Sequence, residues 1–137
     1  MRVVIDTNIL VSALIQSNSA PGAVVDAWFE DRFTLVTHAF QLDELREVSR
    51  RPHVRARFRR SQAGRLVNDL RADAEMIERL PHVRRSADPA DDFLLALCEA
   101  GRADYLVTGD KTGLLALGTH GGTTILTARA FLDRLGR

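Results

Sequence analysis

The sequence of 137 residues has one cysteine, one lysine and no apolar run long enough to cross a membrane. One thiol cannot form an internal disulfide, so Cys98 argues against a disulfide-stapled secreted domain and favours a reducing compartment. A membrane span needs roughly 20 consecutive apolar residues, and the chain opens on a predicted strand rather than on a basic and apolar leader. We therefore expect a cytoplasmic protein without a membrane segment.

An excess of one charge is also missing, because the formal net charge is only +1. The basic residues are nevertheless unevenly placed: all but Lys111 are arginines, and eight of these lie between Arg46 and Arg65. Guanidinium groups suit bidentate contacts with phosphate, so this stretch, which includes Arg46 and Arg50, is a candidate phosphate-binding segment. The competing interpretations are a solvated basic face and the arginine bias of a GC-rich genome.

Strand and helix patterns alternate along the whole chain. Residues 3–5 (Val-Val-Ile) form a β-branched run typical of a strand buried on both faces of a parallel sheet. Further strands are predicted over 33–37, 105–107 and 123–126. Helices are predicted over 9–15, 21–31, 37–50, 89–101 and 114–117. Two more helices are expected to begin after N-caps at Ser61 and Thr127. Residues 74–80 fit either the end of a helix or a third strand. The alternation predicts one three-layer α/β domain over residues 1–137 with a mostly parallel sheet.

Acidic residues end two of the predicted strands. Asp6 follows the first strand and Asp110 the strand over 105–107, so parallel pairing places both at the sheet edge where α/β proteins bind ligands. Asp91 and Asp92 begin the helix before that strand, and Glu44 lies one or two turns into the helix over 37–50. Taken alone, Asp6 is more simply a helix cap. Together, the acids predict four carboxylates converging on one spot.

Carboxylates brought so close repel one another, and each raises the pKa of its neighbours. Hard divalent cations relieve this repulsion, since Mg²⁺ takes oxygen ligands and is usually held by a few carboxylates together with substrate phosphates. Such a site activates water and stabilises a leaving oxygen. The pattern therefore predicts metal-dependent hydrolysis of a phosphodiester.

The order of four acidic segments resembles the motif set of the PIN-domain ribonucleases. The branch most similar is that of the toxin components of toxin–antitoxin systems, relatives of the VapC toxins. The segments are Asp6-Thr7-Asn8, Asp43-Glu44-Leu45, Asp88-Pro89-Ala90-Asp91-Asp92 and Thr108-Gly109-Asp110-Lys111. No single segment is specific, but the ordered set covers essentially the whole chain.

This resemblance implies a PIN-like α/β/α fold with strand order 3-2-1-4-5, in which residues 74–80 supply strand three. It also implies Mg²⁺- or Mn²⁺-dependent cleavage of RNA, frequent formation of homodimers, and inhibition by a small antitoxin protein. The alternative is a non-catalytic RNA- or protein-binding domain on the same fold. The presence of all four acids argues against that alternative, because a degenerate copy usually loses one.

Carried over residue by residue, the resemblance makes Asp6, Glu44 and Asp110 catalytic metal ligands. The third acid is Asp91 or Asp92. Asp91 is preferred because apolar residues follow it at helical spacing, and Asp92 would then lie beside it as a further ligand or as a charge at the helix N-terminus.

Two other positions match the supporting parts of the motifs, and an RNA substrate makes Arg46, Arg50 and Lys111 the candidate RNA-binding residues. Asn8 matches a polar residue beside the first acid, and Thr108 matches a hydroxyl before the fourth. Lys111 is the basic residue expected to touch the scissile phosphate, unless it is an ordinary turn lysine. The branch often has Ser before the second motif's helix, whereas this chain has Thr37-His38, and His38 is expected to be a surface or capping residue.

Overall fold

A six-stranded sheet forms the middle layer of the protein in the computed structural model, which describes residues 1–110 and 112–136, with Arg60 described for its backbone alone. The strands are Arg2–Ile5 (β1), Thr34–Thr37 (β2), Glu75–Met76 (β3), Tyr105–Val107 (β4), Thr119–His120 (β5) and Thr123–Leu126 (β6). Their order in the sheet is β3-β2-β1-β4-β6-β5, and every pairing is parallel except that of β5 with β6.

The expected order 3-2-1-4-5 is therefore wrong at one edge of the sheet. The predicted fifth strand, Thr123–Leu126, does lie beside β4, but a two-residue strand precedes it and pairs with it as a hairpin. The turn between them contains Gly121 at φ 56, a left-handed conformation that glycine adopts without steric cost. A two-residue strand is too short to show an alternating apolar pattern, so it could not be predicted from the sequence.

Eight helices in the described part of the chain cover the two faces of the sheet. They are Thr7–Ile15 (α1), Ala20–Phe29 (α2), Ala39–Arg50 (α3), Pro52–Arg55 (α4), Arg60–Asp73 (α5), Pro89–Gly101 (α6), Leu114–Leu117 (α7) and Ala128–Arg134 (α8). The predicted α/β/α architecture is confirmed. The predicted Ser61 cap is wrong, because the N-cap of α5 is Arg59, two residues earlier, and Gln62 accepts a hydrogen bond from the Arg59 N–H.

The three layers follow from the alternation of side chains along β1. Val3 and Ile5 belong to the apolar cluster with α1, α2, α3, α5 and α8, and Val4 belongs to the cluster with α6 and α7. All three side chains are fully buried, which confirms the two-sided burial predicted from the β-branched run. β1 pairs with β2 on one side and with β4 on the other, so it is central to the sheet.

The ambiguous segment 74–80 contributes only the short strand β3, whose two residues are exposed at the sheet edge. α5 ends before it, at Asp73, so the helical alternative for the segment is wrong. Among the described residues, no helix is both long enough and apolar enough to cross a membrane.

Cys98 provides a test of this packing. The side chain is 1% exposed within α6, and burial raises the pKa of its thiol to about 12. Because the thiolate is the reactive form, we expect no labelling of the native protein by iodoacetamide near pH 8 and rapid labelling after unfolding in guanidinium. Intact mass measured at intervals checks this. Native labelling at the rate of the unfolded chain would contradict the described core.

Candidate active site

The carboxyl edge of the sheet opens into a cleft of about 530 Å³ between α3 and the N-terminus of α6. We name it the acidic cleft, because four carboxylates predicted from the sequence line it. Its lining residues are Asp6, Thr7, Asn8, Ile9, Ser12, Glu44, Val48, Arg51, Asp88, Ala90, Asp91, Leu94, Gly109 and Asp110. Chain segments that are far apart in sequence thus bring Asp6, Glu44, Asp91 and Asp110 to one cavity.

Asp6 is fixed at the cleft by the pairing of the two central strands. Ile5 lies opposite Val107 in the parallel register, so the residues after them also lie side by side. The buried Thr108 hydroxyl donates a hydrogen bond to Asp6 Oδ2 at 2.8 Å and accepts one from the Asp110 N–H at 3.2 Å. One hydroxyl therefore ties the first acid to the backbone of the fourth.

Asp6 also caps α1, so its interpretation as a helix cap is compatible with its interpretation as a site residue. Its Oδ1 accepts a hydrogen bond from the Asn8 N–H at 3.2 Å, while Oδ2 receives the Thr108 hydroxyl. The exposed Asn8 lines the cleft, but its hydrogen bond to Asp6 comes from its backbone N–H and not from its side-chain amide.

Asp110 meets Asp91 at Gly113. The Gly113 N–H donates to Asp110 Oδ1 at 3.1 Å. A Cβ placed on Gly113 would lie 2.1 Å from Asp110 Oδ2 and 2.9 Å from Asp91 Oδ2, both inside van der Waals contact. The absence of a side chain at Gly113 is thus what allows the two carboxylates to approach the same point.

Asp91 is the acid on which the neighbouring negative charge acts most visibly. Partial burial, followed by the charge of Asp110, raises the pKa of the Asp91 carboxyl. Asp88 and Asp6 add smaller contributions of the same sign, and a hydrogen bond from the Ser86 hydroxyl opposes them. Ionisation of Asp91 is therefore unfavourable, first because its carboxyl is partly buried and second because other carboxylates lie near it.

Asp92 lies outside the cleft, one residue and about 100° further around α6. Its Oδ1 accepts hydrogen bonds from the Ser86 N–H at 2.8 Å and the Arg85 N–H at 3.0 Å. These two bonds lower the pKa of Asp92. The geometry therefore favours Asp91 over Asp92 as the α6 carboxylate of the cleft. Asp92 instead holds the backbone of the loop before α6.

Glu44 is positioned by a chain of buried hydrogen bonds that the sequence did not reveal. The Thr7 hydroxyl donates to Glu44 Oε1 at 2.5 Å. Behind Thr7 lies Gln41, 1% exposed, whose amide donates to the Ile5 carbonyl at 2.5 Å and to the Thr7 hydroxyl at 3.5 Å. The Thr37 hydroxyl in turn donates to Gln41 Oε1 at 2.6 Å. The side chains before Glu44 thus connect it to β1 and β2.

Of the two alternatives expected for His38, the capping role is confirmed and the surface position is wrong. Its Nδ1 accepts a hydrogen bond from the Phe40 N–H at the start of α3, and its ring is 8% exposed. Thr37, the residue before His38, bonds to Gln41 and does not line the cleft itself.

The basic residues divide into separate groups. Arg51 lines the acidic cleft, although nothing in the sequence distinguished it from the neighbouring arginines. Arg46 and Arg50 line a different cavity on another side of α3. Lys111, the residue expected to touch the scissile phosphate, lies outside the described residues.

An all-oxygen donor set in an open cleft suits a hard divalent cation. The approach of Asp91 and Asp110 to the point that a Gly113 side chain would fill supports this fit, since positive charge there would relieve their repulsion. The carboxylates are not, however, drawn into a tight cluster: within residues 1–110 and 112–136, no three His, Cys, Asp or Glu side chains form a ready-made metal site. Hydrogen bonds to Thr7, Thr108 and Ser86 hold three of the acids instead.

Comparison with protein families gives one match over most of the chain. A family model described as PIN domain matches residues 2–112, a span that contains all four carboxylates of the acidic cleft. A search of curated proteins gives no match.

Two neighbouring acids of α6 should respond to charge removal with opposite signs. Asp91 has a raised pKa, so its ionised form opposes folding at neutral pH, and Asp91→Asn should raise the midpoint of thermal unfolding in EDTA. Asp92 has a lowered pKa and stabilises the fold when ionised, so Asp92→Asn should lower that midpoint. Both effects should shrink as the pH falls through the carboxyl range and the parent residues become protonated. Shifts of the same sign at pH 7 would contradict the described hydrogen bonds and charges.

Proposed function

Because the chain belongs to the PIN-domain family, we propose that it is a metal-dependent endoribonuclease that hydrolyses RNA phosphodiesters in the acidic cleft. The family supplies a nuclease fold that is generally metal-dependent. The observation that carries the proposal is the meeting of Asp91 and Asp110 at Gly113, beside an Asp6 carboxylate tied to the same loop through Thr108. Such a concentration of like charges opposes folding, and a cation bound between the carboxylates would relieve their repulsion and could bind a phosphate.

In this proposal Asp6, Glu44, Asp91 and Asp110 would hold Mg²⁺ or Mn²⁺. A bound divalent cation supplies water of lowered pKa and neutralises charge on the phosphate. The protein's part is orientation, because each carboxylate must present an oxygen to the cleft while a neighbour holds the side chain. Thr7 performs this for Glu44, and Thr108 performs it for Asp6.

Arg51 is placed to bind the substrate rather than the cation. Its side chain lines the same cleft as Glu44 and Asp6 but carries a fixed positive charge. A guanidinium there would pair with a non-bridging phosphate oxygen and hold the strand for in-line attack. Lys111, which directly follows Asp110 in the sequence, would add a second positive charge.

The biological role follows from the resemblance to the toxin branch. We propose that the chain is the toxin of a toxin–antitoxin pair, acts as a homodimer in the cytoplasm, and is inhibited by a small antitoxin protein. The support is the order of the four acidic segments, which is similar to that of the VapC toxins. The product of the neighbouring gene is the first candidate for the antitoxin.

Removal of the first acid tests the enzymatic proposal. We expect Asp6→Asn to lower cleavage of single-stranded RNA in Mg²⁺ or Mn²⁺ by more than about 100-fold, because loss of even a supporting group near a metal typically costs 10–100-fold. Calorimetric titration with Mn²⁺ should show weaker binding by the same variant and by Glu44→Gln. If Asp6→Asn cleaves RNA at the parent's rate, the nuclease assignment is wrong, and binding without cleavage by the parent would favour the non-catalytic alternative.

A matched pair of glycine substitutions tests the geometry of the cleft. Gly113→Ala places a Cβ against the carboxylates of Asp91 and Asp110, so we expect RNA cleavage and Mn²⁺ affinity to fall about 10- to 100-fold. Gly122→Ala is the control, since a Cβ there meets no heavy atom within 4 Å. Thermal unfolding of both variants separates local displacement from loss of fold. Equal activities for folded Gly113→Ala and Gly122→Ala would contradict the proposed approach of the two acids.

A further inference from the structure

A second cavity, of about 470 Å³, lies between α3, α4 and α5. We name it the arginine pocket, because three arginines line it and no acidic residue does in the described part of the chain. Its lining residues are Arg46, Ser49, Arg50, Arg55, Phe58, Ala63, Gly64, Val67 and Asn68. Its composition is thus the reverse of that of the acidic cleft, and it is suited to an anion.

Helix α3 separates the two cavities. Glu44, Val48 and Arg51 line the acidic cleft, whereas Arg46, Ser49 and Arg50 line the arginine pocket. At about 100° per residue, these two sets lie on opposite sides of the helix, a distance of roughly 10–12 Å with side chains included. The arginine pocket is therefore a separate site rather than an extension of the cleft.

The charges in the pocket are largely uncompensated within the protein. Arg46 approaches Asp43 only at 3.9 Å, in an exposed i,i+3 pair that contributes little. Arg50 and Arg55 form no ion pair with any acid in the described residues. Three guanidinium groups around one cavity repel one another until an anion lies between them, and their planar donors match phosphate oxygens.

Gly64 leaves one wall of the pocket open. It lies in the interior of α5, where glycine is unfavourable relative to alanine. A Cβ on Gly64 would meet no heavy atom within 4 Å, so packing does not require glycine there. At Gly101, by contrast, a Cβ would lie 2.5 Å from Val36 Cγ1, and packing does exclude a side chain. What Gly64 preserves is the free volume of the pocket.

We propose that the arginine pocket binds a backbone phosphate of the RNA strand whose scissile bond lies in the acidic cleft. This inference rests on the proposed nuclease function and adds a second phosphate subsite to it. The route between the two sites runs around the C-terminal end of α3, where Arg51 lines the cleft and Arg55, in the next helix, lines the pocket. A substrate must therefore extend several nucleotides beyond the cleaved bond to fill both sites.

Binding to an inactive protein tests the subsite without relying on turnover. In an Asp6→Asn background with EDTA, the affinity for a fluorescein-labelled oligouridylate of about a dozen nucleotides is measured between 50 and 200 mM salt. Adding Arg50→Gln and Arg55→Gln should reduce the slope of log affinity against log salt by about 0.7 or more, because each neutralised phosphate of a single strand contributes about that much. The control is Arg102→Gln with Arg134→Gln, which removes the same charge near the amino-terminal ends of the strands. There Arg102 follows the end of α6, and Arg134 contacts Tyr105 at the start of β4.

A substitution that leaves the net charge unchanged distinguishes binding inside the pocket from attraction by the overall positive charge. Gly64→Leu should fill the arginine pocket without changing the net charge and should weaken binding of the same oligouridylate about tenfold. Leucine favours a helix interior over glycine, so the midpoint of thermal unfolding should not fall. Titration with inorganic phosphate at matched ionic strength should give no saturation that depends on Arg50 and Arg55.

Three results would overturn the inference. The first is an equal reduction in salt slope by the two arginine pairs, and the second is parental affinity in a folded Gly64→Leu variant. The third is saturable, arginine-dependent binding of inorganic phosphate alone, which would make the occupant a free anion. Failure of these binding tests in a chain that still cleaves RNA rejects only the subsite. A parent chain that shows the expected slopes but never cleaves RNA rejects only the nuclease proposal.

Discussion

The hydrogen bond from the Thr108 hydroxyl to Asp6 is the contact on which the acidic cleft depends. It exists because β1 and β4 run parallel and in register, so that Ile5 and Val107 lie opposite each other and their successors meet at the carboxyl edge. The same hydroxyl accepts the Asp110 N–H, which fixes where the loop after β4 turns. A buried threonine at a strand end thus couples the backbone of one acid to the side chain of another, and both would shift if the strand register slipped.

Around this contact, three of the acids each have a hydrogen-bond donor of their own. Glu44 receives Thr7, Asp6 receives Thr108, and Asp91 receives Ser86, and all three partners are neutral hydroxyls. A lysine or arginine paired with each acid would stabilise the apoprotein more, but it would also cancel the negative charge that attracts a cation. The raised pKa of Asp91 reflects this arrangement in part, since its causes are first partial burial and then the charges of Asp110 and Asp88.

Much of the fold and part of the site could be predicted because they depend on local pattern. The run Val3 to Ile5 specified a central strand, and parallel topology alone put Asp6 and Asp110 at one edge. The preference for Asp91 over Asp92 came from the apolar residues that follow Asp91 at helical spacing, and Asp91 does line the cleft. One residue of helix rotation decides which carboxylate faces the cleft, and only the docking of α6 fixes that rotation. Gln41 and Gly113 were missed for a related reason: their roles are contacts with residues distant in sequence, and neither is a residue type that predicts a site.

The net charge of +1 conceals the feature of α3 that bears most on function. Glu44 and Arg46 are two residues apart, yet helical geometry turns one toward the acidic cleft and the other toward the arginine pocket. A sum over the sequence cancels these charges, whereas a strand of nucleic acid passing around the helix would meet each on its own side. The two sides of the helix are roughly 10–12 Å apart, more than the Debye length of about 8–10 Å, so charges on one side are largely screened from a phosphate on the other. What a phosphate chain encounters is therefore set by the arrangement of charge around the helix and not by its total.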